Sequence, residues 1–317
     1  MITFLINSIR IGISILFGSV GETITEKAGH LNLGIPGVMA FGALGGCCGI
    51  NVYYWILGGG TPIGLFSVLF IVLFSMVFGG ALGALYSFFT VTLRSNQNIT
   101  GLAITTFGVG CAKFFNSLID GRKAQNSLTQ IRTLFPFYSK LGWFGELFLS
   151  WGAMVYLALI IAVCATLFLN KTKTGLQLRA IGENPATADA VGINVSTYKY
   201  LATIVGCAIA GVGGAYTLID AKGAADLTNT IPLIEGYGWL AVALVIFCVW
   251  KPSFCILGSM IFGMLYTLGS FIQFNATLTD MIPYVVTIIV LIFTSIYGGK
   301  NVQPPASLGQ NYFREER

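Results

Sequence analysis

Charge is what this 317-residue chain has least of. Asp, Glu, Lys and Arg together make up 9% of it, where a soluble domain carries about 25%. That excludes an ordinary soluble domain. There is one histidine, His30, and a lone histidine beside a glycine-rich turn fits a structural role better than a catalytic one. The seven cysteines include no C-x-x-C pair and lie almost entirely in apolar stretches, so they read as small packing residues and not as metal ligands or disulfides. No G-x-x-x-x-G-K-[ST] phosphate loop, no H-E-x-x-H and no G-x-S-x-G is present, which removes P-loop nucleotide binding and two common hydrolase chemistries. No intramembrane pair of carboxylates is evident, of the kind a proton-coupled carrier or an intramembrane acid–base enzyme needs. The first apolar stretch begins at Ile2, contains Arg10 and is followed by no A-x-A-like site, so no cleavable signal peptide is expected.

What the chain does have is apolar length. Hydrophobic residues make up 55%, mean hydropathy is +0.81, and there are 40 glycines. This predicts an all-α polytopic membrane protein whose helices approach closely in lipid. Nine spans, within a range of eight to ten, follow from runs near residues 2–20, 35–57, 63–93, 99–118, 151–169, 200–219, 233–249, 254–274 and 283–297. Arg10 is expensive in lipid and is expected to face protein or the interface. The net charge of +5 reports cytoplasmic loops and not nucleic-acid binding. With residues 171–199 placed in the cytoplasm, ten basic residues fall inside and five outside, and the N-terminus falls outside.

Small residues repeat at four-residue spacing in two places. Gly42 with Gly46, and Gly45 with Gly49, mark a tightly packed helix; Ala202, Gly206, Ala210 and Gly214 mark another, capped by Ser196 and buried at its closest crossing. Between the first two spans, Glu22, Glu26, Lys27 and His30 interrupt the apolar run, and Gly29, Gly34, Pro36 and Gly37 argue against a continuous helix before Val38. Either this is a surface turn, or it is a broken helix whose loose backbone lines a solute path under protein cover. Residues 220–232 read as a polar turn region. Glu235, with Tyr237 close behind it, opens the following span as a solvated helix start or as a solute contact.

The polar interval 171–199 carries a short helix of its own. Asn184 can cap it, Pro185 suits its first position, residues 186–191 are helix-tolerant, and Gly192 can end it. A short capped helix on a basic loop is either a protein-docking element or an ordinary interfacial loop.

These residues carry a resemblance. Gly21-Glu22, Thr25-Glu26-Lys27-Ala28-Gly29, Leu31-Asn32-Leu33-Gly34-Ile35 and Gly37 resemble the N-terminal motif of bacterial ABC-importer permeases for sugars, nucleosides and branched-chain amino acids. The run Arg179 to Pro185, with Ala188 and Gly192-Ile193, is similar to their ATPase-coupling loop, and Arg94 to Gly101 to their first polar cytoplasmic turn. The tail Pro305 to Gly309, with Tyr312 and Arg314-Glu315, resembles the nucleoside branch, in the shorter of its two permease subunits. Tyr237, where a basic residue is expected, and Cys248-Val249-Trp250-Lys251, in place of a glycine-containing turn, depart from the pattern.

The resemblance implies a type II ABC importer-like permease of one transmembrane domain over 1–317, with a cytoplasmic coupling loop at 171–199 and a cytoplasmic tail at 298–317. It implies no catalysis and no cofactor or metal of its own, with ATP-Mg on a partner. The implied partners are a second permease, an ABC ATPase, an extracytoplasmic solute-binding lipoprotein, a small-molecule substrate and the bilayer of a bacterial cytoplasmic membrane. Gly182, Glu183, Asn184, Pro185, Ala188 and Gly192 would couple to the ATPase. Glu22, Asn32, Asn98, Glu235 and Tyr237 would touch the solute path. A sugar or branched-chain amino acid permease is the neighbouring reading, and an ion-coupled secondary carrier the reading from another class.

Overall fold

The computed structural model describes residues 2–60, 62–116, 134–135, 138–221, 227–272, 281–297 and 303–313. Among the described residues every regular element is helical. The long helices are α1 (Ile2–Lys27), α2 (Ile35–Leu57), α3 (Gly64–Ser87, continued by a π-turn Phe88–Thr92) and α4 (Gln97–Asn116). After the short α5 (Gly142–Phe148) come α6 (Ala153–Lys171), α7 (Lys173–Glu183), α8 (Pro185–Ala190) and α9 (Val195–Tyr216). Then follow α10 (Leu227–Phe247), α11 (Pro252–Ile272) and α12 (Ile282–Tyr297). By length and hydropathy, 6 described helices are able to cross a membrane: α1, α2, α3 with its π-turn, α6, α9 and α10.

The bundle closes around α9, the most enclosed of these six. Its small residues face three neighbours at once. A Cβ at Gly206 would meet Gly21 and Thr25 of α1, one at Gly211 would meet Ser75 and Gly79 of α3, and one at Gly214 would meet Met39 of α2. On the other side, Gly42 and Gly46 of α2 abut α9, while Gly45 and Gly49 abut α3. The two interleaved glycine pairs therefore seat two different helices. Backbone-to-backbone approach of this kind gains dispersion contacts without ordering long side chains. Gly12 and Gly263 join α1 to α11 in the same way.

Four expectations are corrected or narrowed. First, α1 does not end near Val20. It continues helically through Glu22 and Glu26 to Lys27, because both acids turn inward and find donors there. After the break at Ala28 to Gly34, the next helix starts at Ile35, where the 35–57 run placed it, with Pro36 in its first turn. Second, of the two placements expected for Arg10 the structure favours the interface: it is exposed on the outside of α1. It lies 17 residues from Lys27, roughly 25 Å along the axis, so its side chain can reach the far interface. Third, α9 starts at Val195 under an Asn194 cap, whose Oδ1 accepts from Thr197 N at 3.1 Å, and not under Ser196. Fourth, the region 220–232 is helical again from Leu227, and Pro232 is tolerated inside α10. The loop 117–133 and the tail ends 298–302 and 314–317 lie outside the described residues.

Candidate functional site

Helix α8 has the outline its residues dictate. Asn184 Oδ1 accepts from Thr187 N at 3.0 Å, and Pro185 takes the first turn. At the other end, Ile193 N donates to Ala188 O at 3.1 Å and Gly192 N to Asp189 O at 3.0 Å. With Gly192 at φ 85, this is a Schellman ending, which a Cβ would strain. Ala188 is buried against Ile181 and Val195, while Asn184, Ala186 and Thr187 are exposed. So one face of α8 is anchored and the other is presented. Ahead of it, α7 was not anticipated from sequence. Thr172 caps it through Gly175 N at 3.0 Å.

The tail clasps this segment to the end of α1. Ser307 N donates to Gly182 O at 3.0 Å, and Ser307 Oγ donates to the same carbonyl at 2.7 Å. Ala306 N approaches Glu183 Oε2 at 3.4 Å. Further along the tail, Gly309 N donates to Gly29 O at 3.3 Å. Gly182 itself sits against the Lys27 carbonyl, where a Cβ would collide. Tyr312 Oη donates to Asp189 at 2.8 Å, and Asn311 Nδ2 donates to Arg94 O at 2.7 Å. The coupling-loop candidate, the α1 end, the Arg94 turn and the tail therefore share one end of the bundle.

The connection from Ala28 to Gly34 runs back into the bundle alongside α1. It is buried for most of its length, so it is not a surface turn. Its polar backbone is satisfied by side chains from three helices, as buried backbone must be. Leu31 N donates to Gln97 Oε1 at 2.8 Å, Tyr86 Oη to Leu31 O at 2.8 Å, and Thr105 Oγ1 to Leu33 O at 2.8 Å. Asn32 N donates to Glu22 Oε1 at 3.0 Å. His30 Nδ1 lies 2.9 Å from Thr203 Oγ1. Burial, with the Lys199 charge nearby, holds the His30 imidazole well below its ordinary pKa, so the ring is neutral.

Glu22 and Glu26 correct a further expectation. They stand four apart on one face of α1 and are both fully buried, so a buried carboxylate pair does exist. The sequence carried the signal in their i, i+4 spacing; only packing shows that this face points inward. Glu26 accepts from the Trp250 indole, and one oxygen of Glu22, Oε2, has no partner among the described residues. Trp250 belongs to the turn that departs from the expected glycine pattern. Val249 and Trp250 adopt φ 54 and φ 53, left-handed values that a β-branched or bulky residue rarely takes.

The solute-path candidates do not form one lining. Glu22 and Asn32 are together in the buried connection, and the Asn32 side chain is taken up by Gly34 N at 2.9 Å and Cys207 Sγ at 3.3 Å. Asn98 is exposed in the first turn of α4, where its N donates to Asn96 Oδ1. Tyr237 is buried in α10 with its ring edge-on to Tyr266, centroids 5.3 Å apart. Glu235 is half-buried inside α10, two turns past its start, and not at the helix start.

The described residues thus form a bundle of close-packed apolar helices that carries a small anchored helix at one end. Residues 4–291 match the family described as "Branched-chain amino acid transport system / permease component", and the chain belongs to that family. It is 33% identical to TsgC13 of Haloferax volcanii, named as a glucose ABC transporter permease protein, over 95% of this chain and 94% of that one. It is 29% identical to the nucleoside ABC transporter permease protein NupC of Lactococcus lactis, over 95% and 94%. It is 26% identical to the guanosine ABC transporter permease protein NupQ of Bacillus subtilis, over 96% and 94%.

Proposed function

We propose that this chain is one of two permease subunits of an ATP-driven nucleoside importer in a bacterial cytoplasmic membrane. In this reading α1, α2, α3, α4, α6, α9, α10, α11 and α12 make nine crossings. The end that carries Lys27, Arg94, α7, α8 and the tail faces the cytoplasm. The presented face of α8, around Asn184 and Pro185, seats in a separate ABC ATPase, with Gly182, Glu183, Ala188 and Gly192 holding it in place. A solute-binding lipoprotein delivers substrate at the other end. Two nucleoside-named relatives over nearly the full chain support the substrate class; the glucose-named one keeps sugars as the second reading.

The observation that carries the mechanism is the clasp at Gly182, Ser307, Gly309 and Gly29. Through it, a displacement of α7 and α8 is handed to the end of α1 and to the buried connection before α2, with no long flexible side chain between them. From there the glycine contacts of α9 pass it to α2 and α3 as rigid-body motion. Glu235 and Tyr237 on α10 are assigned to the solute path. Glu22 and Asn32 are assigned to holding the connection in register, and Asn98 to the start of α4.

The test is uptake and ATP hydrolysis in vesicles holding the full set of subunits. Asn184→Ala removes a cap worth about 1 kcal/mol. Gly192→Ala strains the ending by about 1–2 kcal/mol. A helix of one to two turns has no spare stability of its own. The double variant should hydrolyse ATP while uptake falls severalfold, and Asn184→Ser should stay close to the parent. Normal uptake per ATP in the double variant would refute docking through α8. Uptake by the purified chain alone, driven by an ion gradient, would establish the secondary-carrier reading instead.

A further inference from the structure

We propose that the cavity between the start of α9, the end of α3, α8 and the tail is a binding site for a soluble phosphate monoester. The cavity measures about 420 Å³, and its walls include Arg94, Asp189, Asn194, Ser196, Lys199 and Tyr312. That volume falls within the roughly 300–1,000 Å³ of small-molecule sites and is larger than a bare ion requires.

Lys199 is the reason to assign an anion. It is 3% exposed, it lines the cavity, and no hydrogen bond or ion pair to its ammonium is present among the described residues. A buried charge without a counter-charge is strongly unfavourable. The neighbour on its inner side, His30, is neutral and offers no negative charge. The opposite side is the cavity. There the first turn of α9 presents backbone N–H groups that intrahelical bonding leaves open, since Asn194 caps only Thr197 N. The Ser196 hydroxyl is exposed at the same place.

Arg94 supplies a second cation. Its backbone is at φ 56, with Asn311 Nδ2 donating to Arg94 O and to Ser95 O, and its guanidinium lies 5.0 Å from the Phe313 ring centroid. The one carboxylate in the walls, Asp189, is turned to Tyr312 Oη at 2.8 Å. Lys199, a helix N-terminus and a hydroxyl face the cavity, with Arg94 in its wall, and together these suit an anion. An ammonium and a guanidinium together hold a phosphate as a point charge and a fork. The walls are mostly polar side chains and backbone, which suits a free monoester over a lipid headgroup. This binding does not depend on α8 being a coupling helix.

The experiment is equilibrium dialysis of radiolabelled inorganic phosphate against the purified full chain in an uncharged detergent, with chloride holding ionic strength fixed. Saturable binding is expected, displaced by ribose 5-phosphate and not by ribose. Lys199→Gln should weaken it roughly ten- to hundredfold, the loss of one charged hydrogen bond, and Lys199→Arg should retain most of it. Arg94→Gln, at an exposed position, should weaken it severalfold and keeps the test alive if Lys199→Gln does not fold. Absence of saturable binding, binding unchanged in Arg94→Gln and in the folded Lys199→Gln, or displacement by phosphatidylglycerol micelles but not by ribose 5-phosphate would each overturn the assignment.

Discussion

Replacing Trp250 by Phe should be among the more damaging conservative changes in this chain. Trp250 is 5% exposed and its indole N–H donates to Glu26, itself 1% exposed. Phenylalanine refills most of the volume, and the missing part of the ring leaves a small void worth about 1 kcal/mol. The larger effect is on Glu26, which loses its donor in a place water does not reach, at about 1–3 kcal/mol. Together these give about 2–4 kcal/mol. Removing the acid as well should reverse most of the second part, because an apolar pair of similar shape leaves nothing unsatisfied. The double variant Trp250→Phe with Glu26→Met should therefore be more stable than Trp250→Phe alone, with a coupling of about 1–2 kcal/mol. The assay is the denaturant midpoint of the purified chain, read as maleimide labelling of the buried cysteines Cys47, Cys207, Cys248 and Cys255. A single variant within about 0.5 kcal/mol of the parent, or a double variant whose losses simply add, would refute the reasoning.

Two further outcomes follow from burial and packing. His30 binds a proton in the unfolded chain below about pH 6.5 but not in the folded one, where its pKa is depressed. The stability it leaves intact above that pH is lost as pH falls, by about 1.4 kcal/mol per unit until the folded value is reached. Denaturant midpoints at pH 7.5 and 5.5 should show that slope in the parent and a flatter one in His30→Gln; equal slopes would mean the ring is solvated. Gly42→Ala puts a Cβ on the Gly211 backbone, which cannot yield without parting α2 from α9, and should destabilise by about 1–3 kcal/mol. Gly110→Ala on α4 meets nothing within 4 Å and should be neutral or stabilising by up to about 1 kcal/mol, so a similar loss at both sites would show that close approach is not what Gly42 provides.

Features whose cause is local were readable from the chain. The limits of α8 follow from Asn184, Pro185 and Gly192, each acting within three residues of itself. The ladder through Gly206 and Gly214 declared a tightly packed helix, because four-residue spacing maps onto one face whatever the neighbour. It did not say which neighbour, and α9 turns out to have three. Hydropathy misplaced the end of α1 because it counts Glu22 and Glu26 as interruptions. A helix tolerates them if their partners come from elsewhere, and here one of those partners is 224 residues away.

The turn at Val249 and Trp250 shows why that distance matters. Local preference would place glycine at φ 54, and the resemblance already marked Cys248 to Lys251 as standing in place of a glycine-containing turn. The Schellman bonds form regardless, Trp250 N to Val245 O at 3.1 Å and Val249 N to Ile246 O at 3.0 Å. A conformation this unfavourable for valine persists only where its surroundings over-determine it. The contact best placed to do so is the indole bond to Glu26, which holds the turn and satisfies the buried acid at once. Strain in α10 and a buried carboxylate in α1 thus stabilise each other, and neither is intelligible from its own segment. Val249→Gly should for that reason gain less than the roughly 1–2 kcal/mol of left-handed strain it relieves, since it also loosens the unfolded chain and frees the backbone that aims Trp250 at Glu26.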